Sequence, residues 1–276
     1  MKHHISSRLF IFLLFLMSCR SGPGEENSNV IDVATLRGPS AISMVHMLDS
    51  LKTIENKKVN FQIKNEPLQI RPLLFQEKVE FAVVPTNMAS ILYNKGVNYK
   101  LAAVPVWGTL YLFGERGEIN SWNDLEGKKI HLMAKGMTPD VMFRYLLEKN
   151  NIDPKEDVKL DYSFPTHIEL ANAVASGKAE LGVISEPLVS MVINKNKKVE
   201  PVLSLNEEWK RQTGIEIPQT ALLVHKSFAA ENSQWVNKFL EKYDQSVGWV
   251  NKNPGSGARL IVKNNILENE KVAYQS

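Results

Sequence analysis

The feature that most constrains the fold is a local pattern that occurs once in each half of the chain. An apolar, strand-like run is followed by a basic residue, a glycine and the start of a helix, at residues 33–41 and again at residues 131–147. Each corner is followed by an acidic residue, a short apolar strand and a proline-bearing turn, at residues 80–85 and 180–187. The order strand, turn, helix is typical of α/β units. The chain is therefore predicted to consist of two α/β halves built on one plan.

The two corners have the chemistry of a small anion site. A helix N-terminus has free N–H groups and a partial positive charge, so such a corner can hold an anion. In the second corner, Thr138 is a suitable N-cap and Pro139 suits the first helical position. Gly136 lets a ligand approach the backbone, and Lys135 adds a full positive charge. The alternative is an ordinary βα turn, but the repetition of the corner favours a binding site.

Length and composition are those of a globular protein with two domains. The 276 residues are enough for two hydrophobic cores, and 43% hydrophobic with 23% charged residues is an ordinary balance. The formal net charge is +3 and no run of Lys or Arg is present. The sequence therefore gives no support for nucleic-acid binding.

The N-terminus has the pattern of a targeting signal. An apolar run at residues 9–17 is too short to span a bilayer, and it ends in Leu-Met-Ser-Cys, where Cys19 is the single cysteine of the chain. This resembles the lipobox of bacterial lipoproteins, in which the cysteine is acylated. The resemblance implies a lipoprotein signal peptide over residues 1–18, a flexible tether over residues 19–29 and a lipid anchor. The alternatives are a buried apolar helix and a plain secretory signal with a chance cysteine.

From residue 30 onward, strand-like and helix-like segments alternate, which favours a mostly parallel sheet with helices on both faces. Two isolated apolar strands, residues 109–113 and 220–224, are interpreted as crossings between the halves. The predicted organisation is a first lobe of residues 30–114 and 221–276 and a second lobe of residues 115–220. The other predicted strands are 30–36, 59–63, 81–84, 101–106, 130–134, 158–162, 181–184 and 199–203, and the predicted helices are 41–51, 68–75, 86–93, 141–147, 166–176 (opened by a capping box), 188–193, 234–250 and 256–262.

The order of these motifs resembles the substrate-binding proteins of ABC importers, in the branch that takes up sulfonates, nitrate, thiamine-type pyrimidines and related small molecules. The likeness covers nearly all of residues 30–265, and it implies a two-lobed, periplasmic-binding-protein-like (type II) α/β fold with two crossing strands. It also implies an extracytoplasmic, membrane-anchored monomer that closes on a small molecule by a hinge and delivers it to an ABC permease, without a cofactor or metal. The stretches that carry the resemblance are the lipobox at Cys19 and residues 36–40, 80–87, 121–130, 135–139, 182–187 and 253–255.

The resemblance and the two corners together identify candidate ligand-binding residues. Each lies at the end of a strand or at a crossing, where ligands collect in open α/β sheets. Trp107 is expected to stack on a planar ligand, unless it belongs to the core. Glu186 has the alternative role of capping the next helix, and Arg37 that of pairing with a surface acid. The full set is Arg37, Gly38, Pro39, Ser40, Thr86, Asn87, Trp107, Gly108, Lys135, Gly136, Met137, Thr138, Ser185 and Glu186.

The charges at the corners bear on the ligand. Arg37 and Lys135 occupy equivalent places before a glycine, which predicts an anionic group on the ligand. Glu186 leaves room for an amine, so an anionic or zwitterionic organic molecule is expected. Sulfonate binders typically have Gly-Ser-Thr where residues 135–138 read Lys-Gly-Met-Thr, which argues against sulfonate. Relatives usually continue through further helices beyond residue 276, so apolar surface is expected to be exposed on the first lobe.

An enzyme on the same fold is the rival class, such as a chorismate-dehydratase-like lyase or a pyrimidine-precursor synthase. Fold alone does not separate these functions. The histidines after residue 19 do not pair at metal-ligand spacing, and no GxSxG, HExxH, GxGxxG or P-loop pattern occurs. A lipoprotein that only scaffolds partners would not need paired corners facing a cleft. The sequence therefore favours a binding protein over an enzyme.

Overall fold

The structure is a computed structural model that describes residues 29–133 and 135–276. The predicted signal peptide, Cys19 and residues 19–28 of the predicted tether lie outside the described residues. Among the residues that are described, none of the helices combines the length and the hydrophobicity needed to cross a bilayer.

The first part of the chain alternates strands with helices, as the sequence predicts. Its elements in chain order are β1 (Val30–Leu36), α1 (Pro39–Ser43), α2 (Val45–Ser50), β2 (Thr53–Ile54), β3 (Lys57–Lys64), α3 (Pro67–Phe75), β4 (Phe81–Pro85), α4 (Thr86–Asn94) and β5 (Tyr99–Trp107).

The middle of the chain repeats the alternation around a second sheet. Its elements are β6 (Leu110–Glu115), a 3-10 turn (Trp122–Leu125), β7 (Lys129–His131), α5 (Thr138–Lys149), β8 (Lys159–Asp161), α6 (His167–Ala175), β9 (Leu181–Ser185), α7 (Leu188–Lys195), β10 (Val199–Ser204) and α8 (Leu205–Thr213). The chain then returns to the first sheet through β11 (Pro218–His225) and ends with α9 (Lys226–Glu231), α10 (Ser233–Lys252), α11 (Pro254–Lys263) and α12 (Glu270–Gln275).

Both sheets are mixed rather than mostly parallel. The first has the strand order β2-β3-β1-β4-β11-β5, in which β1 runs parallel to β3 and β4 while β11 runs antiparallel to β4 and β5. The second has the order β10-β6-β9-β7-β8, in which β7 is parallel to β8 and β9 while β6 is antiparallel to β9 and β10. Besides the edge strand β2, which is antiparallel to β3, the antiparallel members are β6 and β11. These two strands enter each sheet from the other lobe, so they run against the local βαβ direction.

The pairing of β6 moves the lobe boundary that the sequence suggests. Residues 110–114 were expected in the first lobe, but β6 pairs with β9 and β10 of the second sheet. The first lobe therefore ends at the crossing before residue 110. The sequence of an apolar strand does not indicate which sheet the strand joins, because its partner strands are distant in sequence.

Apolar clusters cover both faces of each sheet. On one face of the first sheet, Phe81 stacks on Phe239 of α10 with ring centroids 4.3 Å apart. On the other face, α3 and α4 contribute Ile70, Leu74 and Met88. Every residue of β4 and β9 is buried, as expected of central strands that are covered on both faces.

The helix predicted over residues 41–51 is instead two helices that meet at Met44. The cause is Ser246 of α10. Its hydroxyl donates to the carbonyl of Ser43 at 2.9 Å and accepts from the backbone N–H of Met47 at 3.4 Å. The hydroxyl thus takes the place of the helical bond between Ser43 and Met47, and such an insertion breaks a helix locally.

Two short crossings join the lobes side by side. The backbone N–H of Gly108 donates to the carbonyl of Ile217 at 3.0 Å. Next to it, Gln219 Oε1 accepts from the backbone N–H of Thr109 at 3.1 Å and from its hydroxyl at 2.6 Å. The N–H of Ile217 donates to Asn206 Oδ1 at 3.1 Å. The hinge is therefore a narrow strip at residues 108–109 and 217–219.

Candidate functional site

The first corner, between β1 and α1, faces the second lobe with its backbone. Gly38 has φ +106°, in the region that favours glycine. A Cβ at Gly38 would lie 3.7 Å from Cδ of Pro187, which follows β9 of the second lobe. A methyl group at Gly38 would therefore reach van der Waals contact with the second lobe.

A second contact across the cleft is centred on Asn87 at the start of α4. Its side-chain amide donates to the carbonyl of Gly136, and its Oδ1 accepts from the Thr138 hydroxyl at 3.0 Å. The backbone N–H of Asn87 donates to the same hydroxyl at 3.4 Å. Met137 packs against the apolar cluster under α3 and α4 of the first lobe. We call Asn87, Gly136, Met137 and Thr138 the latch, because they hold the lobes together.

The second corner is fixed by Asp140, and the predicted capping role of Thr138 is wrong. Thr138 is the first residue of α5, and its hydroxyl makes no capping bond because Asn87 uses it. Asp140 is 3% exposed, and its Oδ2 accepts from the N–H of Gly136 at 2.7 Å. Its Oδ1 accepts from Arg144 Nε at 2.8 Å and from the Tyr162 hydroxyl at 2.7 Å. The N–H that the sequence offered to an anion is therefore already bound by a carboxylate.

Sequence reasoning missed Asp140, although a signal was present. An acidic residue in the first turn of a helix interacts favourably with the helix dipole and with free N–H groups. That signal indicates a structural role as readily as a ligand-binding one, so only the observed bonds decide between them.

The two basic corner residues are used outside the cleft. Arg37 is exposed, and its Nη1 donates to the carbonyl of Asn265 at 2.6 Å within the first lobe. Lys135 is exposed, and its Nζ lies 5.1 Å from the centroid of the Tyr162 ring, which is cation–π geometry. Neither residue lines the cavity between the lobes.

That cavity has a volume of about 230 Å³ and lies beside the crossings. It is bounded on the first lobe by α1, β5 and α10 and on the second lobe by the turn after β9. It is lined by Pro39, Ile42, Ser43, Pro105, Val106, Trp107, Thr109, Glu186, Pro187, Val247, Val250, Asn251 and Ser276.

Trp107 and Glu186 are the predicted residues with the most distinctive chemistry in the cavity wall. Trp107 is 43% exposed, so it is not core, and its indole N–H donates to the carbonyl of Val104 at 2.8 Å. Glu186 accepts from the backbone N–H and the hydroxyl of Ser190, each at 3.2 Å. Burial raises the pKa of Glu186. Burial and the nearby Glu186 carboxylate also raise the pKa of Tyr111 on β6.

His167, at the start of α6, contacts a predicted site residue and was not singled out from the sequence, although it does not line the cavity. Its Nε2 lies 3.4 Å from the hydroxyl of Ser185, a predicted site residue that is 4% exposed. Burial lowers the pKa of His167 to about 4, so the ring is neutral at physiological pH. In the sequence, the capping box at Thr166 indicates only the start of a helix, and it does not indicate that the next residue, His167, lies beside β9.

The structure thus divides the predicted residues among different roles. Thr86 belongs to the hinge, since its hydroxyl donates to the carbonyl of Pro218 at 2.5 Å, and Gly108 lies in the crossing itself. Ser40 is buried and lies at the start of α1. The residues brought together around the cavity are Pro39, Trp107 and Glu186, those brought together at the latch are Asn87, Gly136, Met137 and Thr138, and those turned elsewhere are Arg37 and Lys135.

Two α/β lobes, two adjacent crossings and a cavity between the lobes define a periplasmic binding protein of the type II class. Residues 44–265 match the family described as "ABC transporter, phosphonate, periplasmic substrate-binding protein". The chain therefore belongs to that family of ABC-transporter substrate-binding proteins.

Individual relatives agree with this assignment. The Bacillus subtilis (strain 168) binding protein YtlA is 31% identical over 143 residues, and the match spans 52% of this chain and 41% of that protein. An ABC transporter crystal structure from Parabacteroides distasonis is 27% identical, with a TM-score of 0.75 over 89% of this chain and 83% of that one. The periplasmic aliphatic sulphonate binding protein SsuA from Escherichia coli shares the fold, at 14% identity and a TM-score of 0.73 over 89% of this chain and 82% of that one.

Proposed function

We propose that this chain is the solute-binding component of an ABC importer, which captures a small organic molecule between its lobes and delivers it to a membrane permease. The observation that carries the proposal is the cavity of about 230 Å³ between lobes that are joined by a narrow hinge. Ligand sites are concave and often lie at domain interfaces, and hinge closure around a ligand is a common way to bury it. Membership of a transport family supports the same function.

Ligand retention tests this function directly. We expect native mass spectrometry of protein purified from its own cells to show a bound small molecule that is lost after unfolding and refolding. Adding back the extracted molecule is expected to raise the melting temperature, because a ligand that binds only the folded state stabilises it by mass action. A preparation that carries no small molecule and whose melting temperature is unchanged by a concentrated extract of those cells would contradict the proposal.

We further infer that residues 1–18 form a lipoprotein signal peptide, that Cys19 is acylated, and that residues 19–29 tether a monomer outside the cytoplasm. The support is the lipobox-like sequence before Cys19 and the periplasmic character of the family. Several acyl chains on one cysteine hold a protein firmly to a membrane, whereas one chain holds weakly. We expect Cys19→Ala to release the protein from membrane fractions and to abolish incorporation of labelled lipid. If parent and variant fractionate with membranes and incorporate labelled lipid to the same extent, the proposed lipid anchor at Cys19 is wrong.

Binding without turnover is the activity that we propose. The support is again the family, whose description is one of transport. A lyase or synthase on the same fold is the rival, and turnover of chorismate or of a pyrimidine precursor by the purified protein would favour it.

A further inference from the structure

The cavity between the lobes has a one-sided charge. Among the described residues that line it, Glu186 is the one ionisable side chain, and the rest are apolar or neutral polar groups. The two cations nearest in sequence to the corners, Arg37 and Lys135, are held by Asn265 and by the ring of Tyr162. The backbone N–H of Gly136 is held by Asp140. Arg37, Lys135 and the N–H of Gly136 are therefore committed to other partners.

Glu186 lacks a compensating positive charge within the described part of the chain. Its hydrogen bonds come from the neutral N–H and hydroxyl of Ser190, both at 3.2 Å. A half-buried carboxylate without a counter-ion is costly, and its free energy falls when a cation arrives.

The opposite wall offers an aromatic face. Trp107 is 43% exposed, and its indole N–H is already satisfied by Val104. An indole ring attracts cations that lie over its face, within about 6 Å of the ring centroid. Pro39, Val106 and Val250 add apolar area around it. A carboxylate on one side and an indole on the other form a pair suited to a positively charged nitrogen on an apolar body.

We propose that this cavity selects a small organic cation, whose ammonium or protonated ring nitrogen pairs with Glu186 while its apolar body lies against Trp107. This inference rests on the proposed function, because it names the substrate class of the same site. The cavity volume of about 230 Å³ limits the ligand to a small molecule, since it lies below the usual range of roughly 300–1,000 Å³ for ligand pockets.

Matched probes separate charge from shape. One set is choline, its neutral isostere 3,3-dimethylbutanol and the anion 3,3-dimethylbutanoate; the other is benzylammonium, benzyl alcohol and benzoate. Binding to the purified protein, freed of retained ligand by unfolding and refolding, is measured by calorimetry and by thermal shift. We expect the cation of at least one set to bind at least about tenfold more tightly than its neutral and anionic partners, the ratio typical of one charged hydrogen bond.

Variants assign the effect to the two residues. Glu186→Gln keeps the shape and one of the two acceptor oxygens that Ser190 uses, and it should weaken the best cation about ten- to hundredfold while leaving its neutral isostere unchanged. Trp107→Leu should weaken the same cation about two- to thirtyfold. Glu207→Gln is the matched control, because Glu207 also raises the pKa of Tyr111 but does not line the cavity. Circular dichroism and melting temperature confirm that each variant is folded.

The outcomes distinguish the substrate class from the proposed function. Preference for the anions, or an unchanged cation affinity in Glu186→Gln, overturns the cation proposal. The proposal is also overturned if neither cation binds at concentrations up to about 10 mM, which corresponds to a binding free energy weaker than roughly 3 kcal/mol. The small molecule retained from the native cells is weighed in parallel. If the retained molecule is an anion or is neutral, the importer function still holds and the cation proposal is wrong. If no molecule is retained and none of the probes binds, both proposals are wrong.

Discussion

His167 and Glu186 illustrate how burial sets the charge of this cleft residue by residue. Burial raises the pKa of a carboxyl and lowers that of an imidazole, because both shifts favour the neutral form. His167 is therefore neutral where an imidazolium would add a cation beside Ser185. The cleft wall of the second lobe is left with the negative charge of Glu186 when that group ionises, which is the basis for expecting a positively charged ligand.

The neutral state of His167 makes stability depend on pH. Its folded-state pKa of about 4 lies below the ordinary value of 6.5, so the unfolded chain binds more protons between these pH values. Its contribution is fully present above about pH 6.5 and is lost as the pH falls toward 4. The loss is expected to reach about 2–3 kcal/mol, at roughly 1.4 kcal/mol per pKa unit with allowance for the partly exposed ring.

We expect His167→Gln to lose less stability than the parent between pH 7.5 and pH 4, measured by urea unfolding. At pH 7.5 both side chains are neutral, so the difference in unfolding free energy between parent and variant gives the cost of the lost contact with Ser185. This difference serves as the internal control. Parallel pH profiles for parent and variant would show that the imidazole is not the group that titrates.

At the scale of elements, local signals predicted most strands and helices. β1 spans Val30–Leu36 as expected, and the capping box at Thr166 opens α6. Such signals lie within a few residues of the element they define. What the sequence could not supply depends on distant partners: the sheet that β6 joins, the break that Ser246 makes at Met44, and the use of Thr138 by Asn87. The partners of Arg37 and Lys135, the carbonyl of Asn265 and the ring of Tyr162, are likewise distant in sequence.

At the crossing between the lobes, packing against a neighbouring side chain requires glycine at position 108. Its φ is +46°, and a Cβ there would lie 2.1 Å from Asn206 Oδ1, the atom that accepts from Ile217 in the hinge. Gly108→Ala must therefore displace the Asn206 side chain, and with it the hydrogen bond from Ile217, as well as strain the backbone. We expect it to cost at least about 2 kcal/mol more than a matched control, from overpacking.

The control is Gly96→Ala, where φ is +73° and a Cβ would meet nothing within 4 Å. Gly96→Ala carries the backbone strain alone, about 1–2 kcal/mol. Thermal unfolding of both variants compares the two costs, and equal shifts in melting temperature would show that the hinge has room at Gly108.

At the scale of the whole molecule, the lobes contact each other at several separate places. The hinge joins Gly108 to Ile217, the latch joins Asn87 to the second corner, and Gly38 lies against Pro187. A further contact comes from α12, where Gln275 accepts a hydrogen bond from Asn194 of α7. The latch, the pair Asn194–Gln275 and the approach of Gly38 to Pro187 lie outside the hinge, so all three must break when the lobes separate.

The latch predicts a measurable shift in the balance between open and closed forms. Asn87→Ala removes the side-chain bonds to Gly136 and Thr138 while the apolar contact of Met137 remains. Neutral hydrogen bonds contribute about 0.5–1.5 kcal/mol each, so the loss of two of them should let the variant open more readily and weaken binding of the retained ligand about five- to a hundredfold. Small-angle scattering is expected to show a larger radius of gyration for ligand-free Asn87→Ala than for the ligand-free parent, and the two should converge when ligand saturates both. Asn94→Ala, at the exposed end of the same helix, is the matched control and should scatter like the parent. If Asn87→Ala has the parent's radius and affinity, the hydrogen bonds of Asn87 have no part in closure, and the other contacts between the lobes hold it.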